Sequence, residues 1–446
     1  MNRYSRGIFV SLFFVALAIV TGRNSYAQST FETIYSFGKL PDGAQPHASL
    51  IIGPQGSLIG TTFLGGQEGY GTVFELSNPT GNAWTETVLY SFDGSIGAYL
   101  DANVIFGPGG ALYGTTQGGG NGGGTIFELA PPSAPGGAWT ETALFDFAGN
   151  IHADVNQPHG AVLFGADGLL YATAGGSGID EYGGVVALTP PGVAGGTWKE
   201  TTIIKFGTPL SAGGKPFGGL VSDGGHMYGA GWAGGLDCSA FFCGTVYELM
   251  SPSMQGSGWA VAAAHEFAGP PDDGGEPMAT VTIASGGILF GTTWLGGSGT
   301  VCTITNVPGC GTVFQLTPPS EPGGIWAESL LYSFTGVDGD GAYPVSAVTV
   351  GPDGTIYGTT QYGGSANAGS PCSSYGVTGC GTVFELVPPA APGGAWTENI
   401  LHSFTGLDGD GSQPMAGLLI SPSGVLYGTT EGGGTYGKGT VFAVRP

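Results

Sequence analysis

Short runs of β-forming residues recur along the whole chain, and glycine, proline and aspartate separate them. One phrase, Leu-Tyr-Gly-Thr-Thr, appears in seven versions and is clearest at Leu112–Thr116. A glycine-rich loop follows it, and then a second apolar run, as at Gly124–Leu129. Runs of this kind, bounded by turn-forming residues and without a helical period, predict β-strands throughout.

The spacing of this phrase defines a repeat. Its central position recurs every 54 to 70 residues, at Gly60, Gly114, Ala172, Gly229, Gly291, Gly358 and Gly428. Each unit contains four predicted strands: strand a after a proline (Pro46–Ile52), strand b (the phrase), strand c (Gly71–Leu76) and strand d (Trp84–Phe92). Seven such units predict an all-β fold, a seven-bladed β-propeller. A parallel β-helix, whose coils are usually shorter, is the alternative.

The two ends of the chain are offset within the repeat. The first strand, Phe31–Phe37, is a strand d, whereas the last unit stops after strand c at Val444. The N-terminal strand is therefore predicted to complete the last blade and close the ring, which hides two sheet edges. Strand a should line the central axis, because each copy has a pair of mostly small residues, as at Ala48-Ser49.

The first 27 residues predict a signal peptide. Arg3 and Arg6 precede an apolar run, Ile8–Val20, and the small-x-small sequence Ser25–Ala27 offers a cleavage site. The run is too short to span a bilayer. Residues 28–446 are expected to form a single propeller domain. We expect it to be freely secreted, since neither a lipid-anchor cysteine nor a C-terminal anchor is found.

The charge balance limits the partners. The chain has 9 Lys and Arg residues against 32 Asp and Glu residues, and three of the basic residues lie in the predicted signal peptide. Nucleic acids are bound by releasing counterions onto lysine and arginine, so nucleic acid and anionic membranes are poor partners. We expect a monomer with no cofactor and no assigned metal ligands, whose partner is an extracellular glycan or protein.

All six cysteines fall into local pairs. In a secreted chain an even number of cysteines predicts disulfides, and reduced structural thiols are the alternative. No histidine accompanies the pairs, which argues against zinc. The predicted pairs are Cys238–Cys243, Cys302–Cys310 and Cys372–Cys380.

The repeats resemble a bacterial family of exported proteins, the choice-of-anchor tandem-repeat GloVer proteins. The resemblance rests on Leu-Tyr-Gly-Thr-Thr, the glycine loop, Gly-Thr-Val-Phe-Glu-Leu and the Trp-Thr-Glu…Tyr-Ser-Phe strand, and it covers essentially all of residues 28–446. Blade three departs most, at Tyr171–Ala174 and Gly184–Leu188. The resemblance implies a surface or extracellular protein and brings no catalytic residues.

In a propeller, the d–a and b–c loops share one face. Here those loops are long and carry the glycine runs, many aspartates and all the cysteines, so this is the predicted working face. Asp-x-Asp-Gly sequences at Asp338–Gly341 and Asp408–Gly411 contain potential calcium ligands. They lack the remaining ligands of a full calcium loop, and an Asp-Gly turn is the alternative.

Two rings of equivalent positions supply candidate ligand-binding residues. The b–c loops begin with aromatic or polar residues that suit stacking on a sugar; packing over the blades is the alternative. This set comprises Phe63, Trp232, Trp294 and Gln361, with Tyr362 following Gln361. At the entrance of the channel, His47, Asp101 and His159 could hold a ligand or metal, or they could simply cap the channel mouth.

Catalysis has less support in the sequence. A glycosidase needs two carboxylates about 5 to 10 Å apart, and strand a offers only Asp101 near the axis. Glutamates recur in strands c and d of several blades, which indicates a structural role, since an active site is needed only once. The sequence therefore predicts a non-enzymatic propeller that binds glycans or proteins. The alternative is an extracellular carbohydrate-active enzyme, a glycoside hydrolase or polysaccharide lyase.

Overall fold

The computed structural model describes residues 29–446 apart from several short segments. Those segments are residues 79–80, 82, 135, 150–154, 177–181, 194, 208–211, 236–242, 253–257, 305–306, 322–323, 366–370 and 392. The predicted signal peptide and Cys238 thus lie outside the described residues. Within them, no helix is long and apolar enough to cross a membrane.

The described residues form seven four-stranded antiparallel sheets, the blades of a β-propeller. Strand a comprises Ile51–Ile52, Ile105–Phe106, Leu163–Phe164, Val221–Ser222, Thr282–Ile283, Thr349–Val350 and Leu419–Ile420. Strand b comprises Leu58–Thr62, Leu112–Thr116, Leu170–Ala174, Met227–Gly231, Leu289–Thr293, Ile356–Thr360 and Leu426–Thr430. Strand c comprises Thr72–Ser77, Gly122–Ala130, Gly184–Thr189, Thr245–Met250, Thr312–Thr317, Thr382–Val387 and Thr440–Arg445. Strand d comprises Thr85–Ser91, Thr140–Ala148, Lys199–Lys205, Ala260–Glu266, Ala327–Ser333, Thr397–Ser403 and, in blade seven, Thr30–Ser36.

The ring closes as the sequence predicts. Thr30–Ser36 pairs antiparallel with Thr440–Arg445, so strand d of blade seven comes from the N-terminal end. The backbone N–H of Phe37 donates to the carbonyl of Gly439 at 3.0 Å, and the Phe37 side chain is fully buried. The first and last strands of the domain thereby protect each other's edges. Antiparallel pairing within separate sheets rules out the β-helix.

Aromatic residues hold neighbouring blades together. The phenylalanine that ends one strand d packs edge-on against the aromatic residue of the next strand c, as in Phe37–Phe74 at 5.1 Å and Phe334–Phe384 at 5.2 Å. This packing explains the glycine of the phrase. A Cβ added to Gly60 would lie 2.5 Å from the ring of Phe74. Blade three has the smaller Val186 opposite Ala172 and tolerates the larger residue.

The two threonines of the phrase have separate tasks. The first donates its hydroxyl to the small residue pair that precedes strand a of the next blade; Thr61 Oγ1 lies 3.0 Å from the carbonyl oxygen of Ala102. The same bond closes the ring, since Thr429 donates to Ala48 across the chain ends. The second pairs with strand c of its own blade, as Thr62 does with Thr72 at 2.9 Å. Each bond is buried, so the phrase links strands both within and between blades.

The loop faces are arranged as predicted. Short strand pairs join the d–a loop to the start of the b–c loop in four blades: Gly43–Ala44 with Leu64–Gly65, Gly274–Gly275 with Leu295–Gly296, Gly341–Ala342 with Tyr362–Gly363, and Gly411–Ser412 with Gly432–Gly433. Short 3-10 turns at Pro54–Gly56, Pro108–Gly110 and Ser285–Gly287 connect strands a and b at the other end. The prediction for strand a was too long, because only two residues of each copy pair regularly. The preceding residues crowd the axis instead.

Candidate binding site at the channel mouth

The central channel is lined by the small residue pairs that precede strand a. All seven pairs, from Ala48-Ser49 in blade one to Ala416-Gly417 in blade seven, line one cavity of about 730 Å³. The backbones approach closely here: a Cβ added to Gly160 would lie 2.4 Å from the amide nitrogen of Gly219 in the next blade. Small side chains therefore keep the channel open while the strands converge.

One residue per blade stands directly above these pairs, at the channel mouth. These seven residues are half-buried and line the same cavity. In chain order they are His47, Asp101, His159, Phe217, Met278, Val345 and Met415. Blades one to three contribute polar residues to this ring, and blades four to seven contribute apolar ones.

Asp101 joins the two histidines into one cluster. Its Oδ1 lies 2.8 Å from Nδ1 of His47, and its Oδ2 lies 2.9 Å from Nδ1 of His159. One carboxylate therefore accepts a hydrogen bond from each imidazole, and blades one, two and three are linked at the mouth. The structure thus brings together all three residues that the sequence singled out here, although blades one and three are not neighbours.

The cluster carries charge at neutral pH. Burial alone would lower the pKa of His47, but the hydrogen bond with Asp101 and the nearby carboxylate of Glu431 raise it to about 9. Burial would likewise raise the pKa of Asp101, yet its bonds from His159 and His47 hold that pKa below the usual range. His47 and Asp101 are therefore both charged at neutral pH, because each stabilises the charged form of the other.

Aromatic rings flank this cluster on both sides. Phe63 stacks on His47 at 4.6 Å between ring centroids, and Phe217 stacks on His159 at 4.3 Å. Tyr99 in turn stacks on Phe63 at 5.2 Å. The polar cluster therefore lies between aromatic faces, one of which comes from a b–c loop and one from a d–a segment.

The b–c loop residues form a second, half-buried ring around the mouth. Glu431 Oε1 lies 3.9 Å from Nε2 of His47, and the amide of Gln117 lies 3.4 Å from Nε2 of His159. Trp232 packs edge-on to Phe217 at 6.2 Å. These contacts show that the two rings of the mouth interlock.

The remaining predicted residues belong to blades five and six. Trp294 contacts Tyr343 and Tyr375, with centroids 5.9 and 6.2 Å apart. Gln361 is half-buried, and Tyr362 accepts a hydrogen bond from Gln413 at 2.7 Å. Trp232 and Trp294 thus belong to separate contact groups: Trp232 packs on Phe217, whereas Trp294 reaches Tyr375 in the b–c loop of blade six.

A third ring of equivalent residues, defined by its backbone conformation, was not predicted from the sequence. The residue two positions before each member of the first ring has a left-handed backbone, with φ between +49° and +64°. These residues are Gln45, Tyr99, Gln157, Lys215, Glu276, Tyr343 and Gln413. Large residues rarely adopt this conformation, and such strain clusters at functional sites. Six of the seven residues precede a proline. None of these residue types prefers a positive φ, so their identity does not predict the left-handed conformation.

Hydrogen bonds pin this strained ring. The N–H of Tyr343 donates to the carbonyl of Cys310 in the previous blade, and its own carbonyl accepts from the N–H of Gln361. Its side chains also reach the site: Lys215 Nζ lies 5.8 Å from the centroid of Trp232. The ring therefore fixes the b–c loops of consecutive blades around the mouth.

Two of the predicted disulfides are present. Cys302–Cys310 and Cys372–Cys380 each close a short b–c loop, in blades five and six. Each loop contains a small hairpin, formed by Thr303–Ile304 with Val307–Pro308 and by Ser373–Ser374 with Val377–Thr378. The pair Cys238–Cys243 cannot be described, since Cys238 lies outside the described residues.

The loop aspartates act as turn anchors. Asp340 accepts the N–H groups of Thr335 and Gly341 at 2.7 and 2.6 Å, and Asp410 repeats this pattern with Thr405 and Gly411. The Asp-Gly turn therefore accounts for the positions of the Asp340 and Asp410 carboxylates.

The recurring strand-d glutamates lie between blades. Tyr332 donates to Glu398 across the boundary of blades five and six at 3.2 Å. Burial raises the pKa of Glu86, Glu141 and Glu328 to about 7 and that of Glu398 to about 8. Their repetition on the outer strands supports the structural role inferred from the sequence.

Comparison with known sequences identifies the family. The model of the Gloeobacter/Verrucomicrobia repeat matches residues 23–247 and 134–372, which together span more than half of the chain. The chain belongs to the Gloeobacter/Verrucomicrobia repeat family. This confirms the resemblance on which the sequence analysis relied. No curated protein matches the sequence.

Several solved structures are similar to this Gloeobacter/Verrucomicrobia repeat protein at low identity. A putative oxidoreductase (glucose dehydrogenase) from Thermus thermophilus is 14% identical, covers 93% of this chain and 99% of its own, and has a TM-score of 0.39. The PQQ-bound aldose sugar dehydrogenase of Streptomyces coelicolor is 14% identical, with coverages of 94% and 99% and a TM-score of 0.42. Vanadate-bound PhoX of Pseudomonas fluorescens is 10% identical, with both coverages at 94% and a TM-score of 0.43. At this distance none of them informs on activity.

Proposed function

We propose that this protein is an extracellular, non-enzymatic binding propeller that takes an oligosaccharide at the channel mouth. The observation that carries the proposal is the interlocked ring of half-buried aromatic and polar side chains around that mouth. Its aromatic members include Phe63, Trp232 and Trp294, and its polar members include Gln117, Gln361 and Glu431. A concave site with apolar walls and a few placed polar groups is the usual form of a small-ligand site.

The aromatic residues suit the apolar faces of sugar rings. Aromatic side chains present a flat surface and lose little conformational entropy on binding. Phe63 and Trp294 are held by neighbouring tyrosines, Tyr99 and Tyr343, at 5.2 and 5.9 Å. Platforms that are positioned before binding reduce the cost of ordering the site.

The polar residues suit sugar hydroxyl groups. A hydroxyl group both donates and accepts hydrogen bonds, and carboxylates such as Asp101 and Glu431 accept them strongly. The chain carries a formal net charge of −23 at pH 7. That charge repels anionic polysaccharides, so we expect a neutral or cationic oligosaccharide.

A carbohydrate-active enzyme is the second candidate. Blades one, two and three each contribute one residue to a single His47–Asp101–His159 cluster, and this cluster occurs once around the described ring, as an active site would. The charge states argue for binding instead. With a pKa of about 9, His47 is protonated at neutral pH and makes a poor general base. Asp101 already accepts a bond from each histidine.

The test is a glycan array probed with residues 28–446, followed by calorimetric titration of the strongest neutral oligosaccharide. Trp294→Ala and Trp232→Ala should each weaken binding by about 1–3 kcal/mol, as is typical of interface hot spots. Trp326→Ala is the matched control: this half-buried tryptophan lies directly before strand d of blade five, far from the axis, and its loss should leave affinity unchanged.

Two results would overturn the proposal. One is an array without any glycan signal above background. The other is unchanged affinity in both mouth variants together with a lowered melting temperature, which would assign Trp232 and Trp294 to packing. Turnover of a bound glycan that is lost in Asp101→Asn would favour the enzymatic alternative.

A further inference from the structure

We infer that His265, Asp273 and Glu328 form a binding site for a divalent transition-metal ion of the zinc class at the boundary of blades four and five. His265 lies in strand d of blade four, and Glu328 lies in strand d of blade five. Asp273 lies in the loop that joins the two blades. The site is thus on the outer strands, separate from the channel mouth, and it is independent of the proposed glycan binding.

The ligand atoms have the spacing of a coordination shell. Nε2 of His265 lies 3.6 Å from Oδ2 of Asp273 and 3.8 Å from Oε2 of Glu328. One ligand atom from each residue lies within 4.8 Å of the other two. Zinc binds imidazole nitrogen and carboxylate oxygen at about 2.0–2.2 Å, which places tetrahedral ligands roughly 3.4 Å apart. The two measured separations are long for hydrogen bonds and close to this value.

Two buried atoms of the cluster lack hydrogen-bond partners among the described residues. These are Nε2 of His265 and Oε1 of Glu328. The equivalent Oε1 atoms of Glu86, Glu141 and Glu398 also lack partners, so the unsatisfied nitrogen of His265 is what distinguishes this boundary. Buried polar atoms are nearly always satisfied, and each exception calls for an explanation such as an ion. Asp273 is already oriented, because its carboxylate accepts the N–H groups of Ala268 and Gly274 at 2.7 and 2.6 Å.

The equivalent boundaries between other blades carry different residues at these positions. Between blades seven and one, Tyr35 takes the place of His265, and its hydroxyl donates to Asp42 at 3.0 Å. Between blades five and six, Tyr332 takes the same place and donates to Glu398 at 3.2 Å. Where tyrosine stands, its hydroxyl group hydrogen-bonds to a carboxylate of the cluster, although Oε1 of Glu86 and Oε1 of Glu398 still lack partners among the described residues.

The boundary of blades six and seven has the histidine without the glutamate. His402 Nε2 lies 3.2 Å from Asp410, and its ring stacks at 3.5 Å on Phe31, which stands where Glu328 would be. Among the described boundaries, imidazole, aspartate and glutamate meet only between blades four and five. The three side chains there are 12–21% exposed, which leaves an opening for the ion and for water as a fourth ligand.

The test uses residues 28–446 after treatment with a chelator. Titration with Zn²⁺, followed by calorimetry, should give one site per chain. Co²⁺ should give the visible absorption of a tetrahedral centre, a readout that reports on the ligands directly. His265→Tyr should weaken Zn²⁺ binding by more than about 100-fold, since even the loss of an outer hydrogen bond to a ligand costs 10–100-fold. Glu328→Gln should weaken it in the same direction.

His402→Tyr is the matched control, because it makes the same change at the equivalent position of blade six. It should leave the Zn²⁺ affinity and the Co²⁺ spectrum unchanged. His265→Tyr introduces the residue that the ring uses three times at this position, as Tyr35, Tyr90 and Tyr332, so the variant should fold, and its melting temperature checks this. An absence of stoichiometric binding, or equal binding in wild type, His265→Tyr and Glu328→Gln, would overturn the inference.

Discussion

The channel mouth has two arcs that share a backbone but differ in chemistry. In blades one to three the ring carries His47, Asp101 and His159, which form one charged cluster. In blades five to seven the same ring position carries Met278, Val345 and Met415. We call these the polar arc and the apolar arc. The repeat fixes the backbone through strands b and c, whereas a single position above each small pair sets the chemistry of the mouth.

The two arcs are also held differently. Hydrogen bonds to one carboxylate hold the polar arc. The loops beside the apolar arc are closed by Cys302–Cys310 and Cys372–Cys380 and packed by Trp294, Tyr343 and Tyr375. The polar arc should therefore respond to pH and the apolar arc to reduction.

The strongest effect should come from breaking the ring that both arcs share. Deletion of residues 28–37 removes strand d of blade seven and exposes the edge of Thr440–Arg445. The loss of buried Phe37 alone should cost about 3–5 kcal/mol, and the bare edge invites association. We expect a large drop in melting temperature and strong light scattering relative to residues 28–446. A truncated chain that stays monomeric and melts like that reference would contradict the observed closure.

Much of this fold could be predicted from the sequence, because aligning the repeats shows which positions are equivalent and where each strand lies. Strand b was correct to the residue at Leu112–Thr116, and the offset of Phe31–Phe37 predicted the closure. Strand a was overextended, since proline and small residues near a crowded axis cannot all pair. Regular pairing is confined to pairs such as Ile51–Ile52.

The site was less predictable. Its members were found by aligning the repeats, but a linear pattern cannot show that Asp101 bridges two histidines from non-adjacent blades. The left-handed ring was missed because residues such as Lys215 and Tyr343 have no preference for that conformation. The cluster of His265 and Glu328 was missed because these residues are far apart in the chain, and only the comparison of equivalent positions brings them together.

An intermediate effect is expected from Asp101→Asn, which tests the polar arc. One amide oxygen cannot accept from both imidazoles, so one histidine loses its partner. Breaking a buried ion pair costs about 3–5 kcal/mol, and because the Asp101 side chain is 24% exposed we expect about 2–4 kcal/mol at neutral pH. Asp146→Asn is the control, since among the described residues the Asp146 side chain bonds only Asn121, in an exposed loop.

The pH dependence of that effect follows from the two pKa shifts. The pKa of His47 is raised from 6.5 to about 9, so its contribution is complete below pH 6.5 and is lost as the pH rises through 9. The lowered pKa of Asp101 makes its contribution complete above its ordinary value of 3.8 and reduces it at lower pH. The stability difference between wild type and Asp101→Asn should therefore be largest from about pH 4 to 6.5. Denaturant unfolding of both proteins across this range measures it, and a difference that grows above pH 9 would contradict the ion-pair account.

The weakest effect should come from the apolar arc, in the double variant Cys372→Ser/Cys380→Ser. The bridge closes a loop with a sequence separation of 8, so chain entropy limits its contribution to at most about 2.5 kcal/mol. Tyr375 lies inside that loop, its carbonyl accepts from the hydroxyl of Tyr343 at 3.3 Å, and its ring contacts Trp294. Opening the loop should therefore loosen Trp294 and change its fluorescence. The stability loss caused by Asp101→Asn should simply add to that of the double variant, because distant sites are independent.

Cys302→Ser/Cys310→Ser is the matched control. It opens a loop of equal separation that does not contain Tyr375, so it should lower stability by a similar amount and disturb the Trp294 emission less. If the two double variants changed that emission equally, the bridge in blade six would have no special role at the mouth. If either double variant altered the pH dependence of stability assigned to His47, the two arcs would be energetically coupled, which would contradict their description as separate arcs.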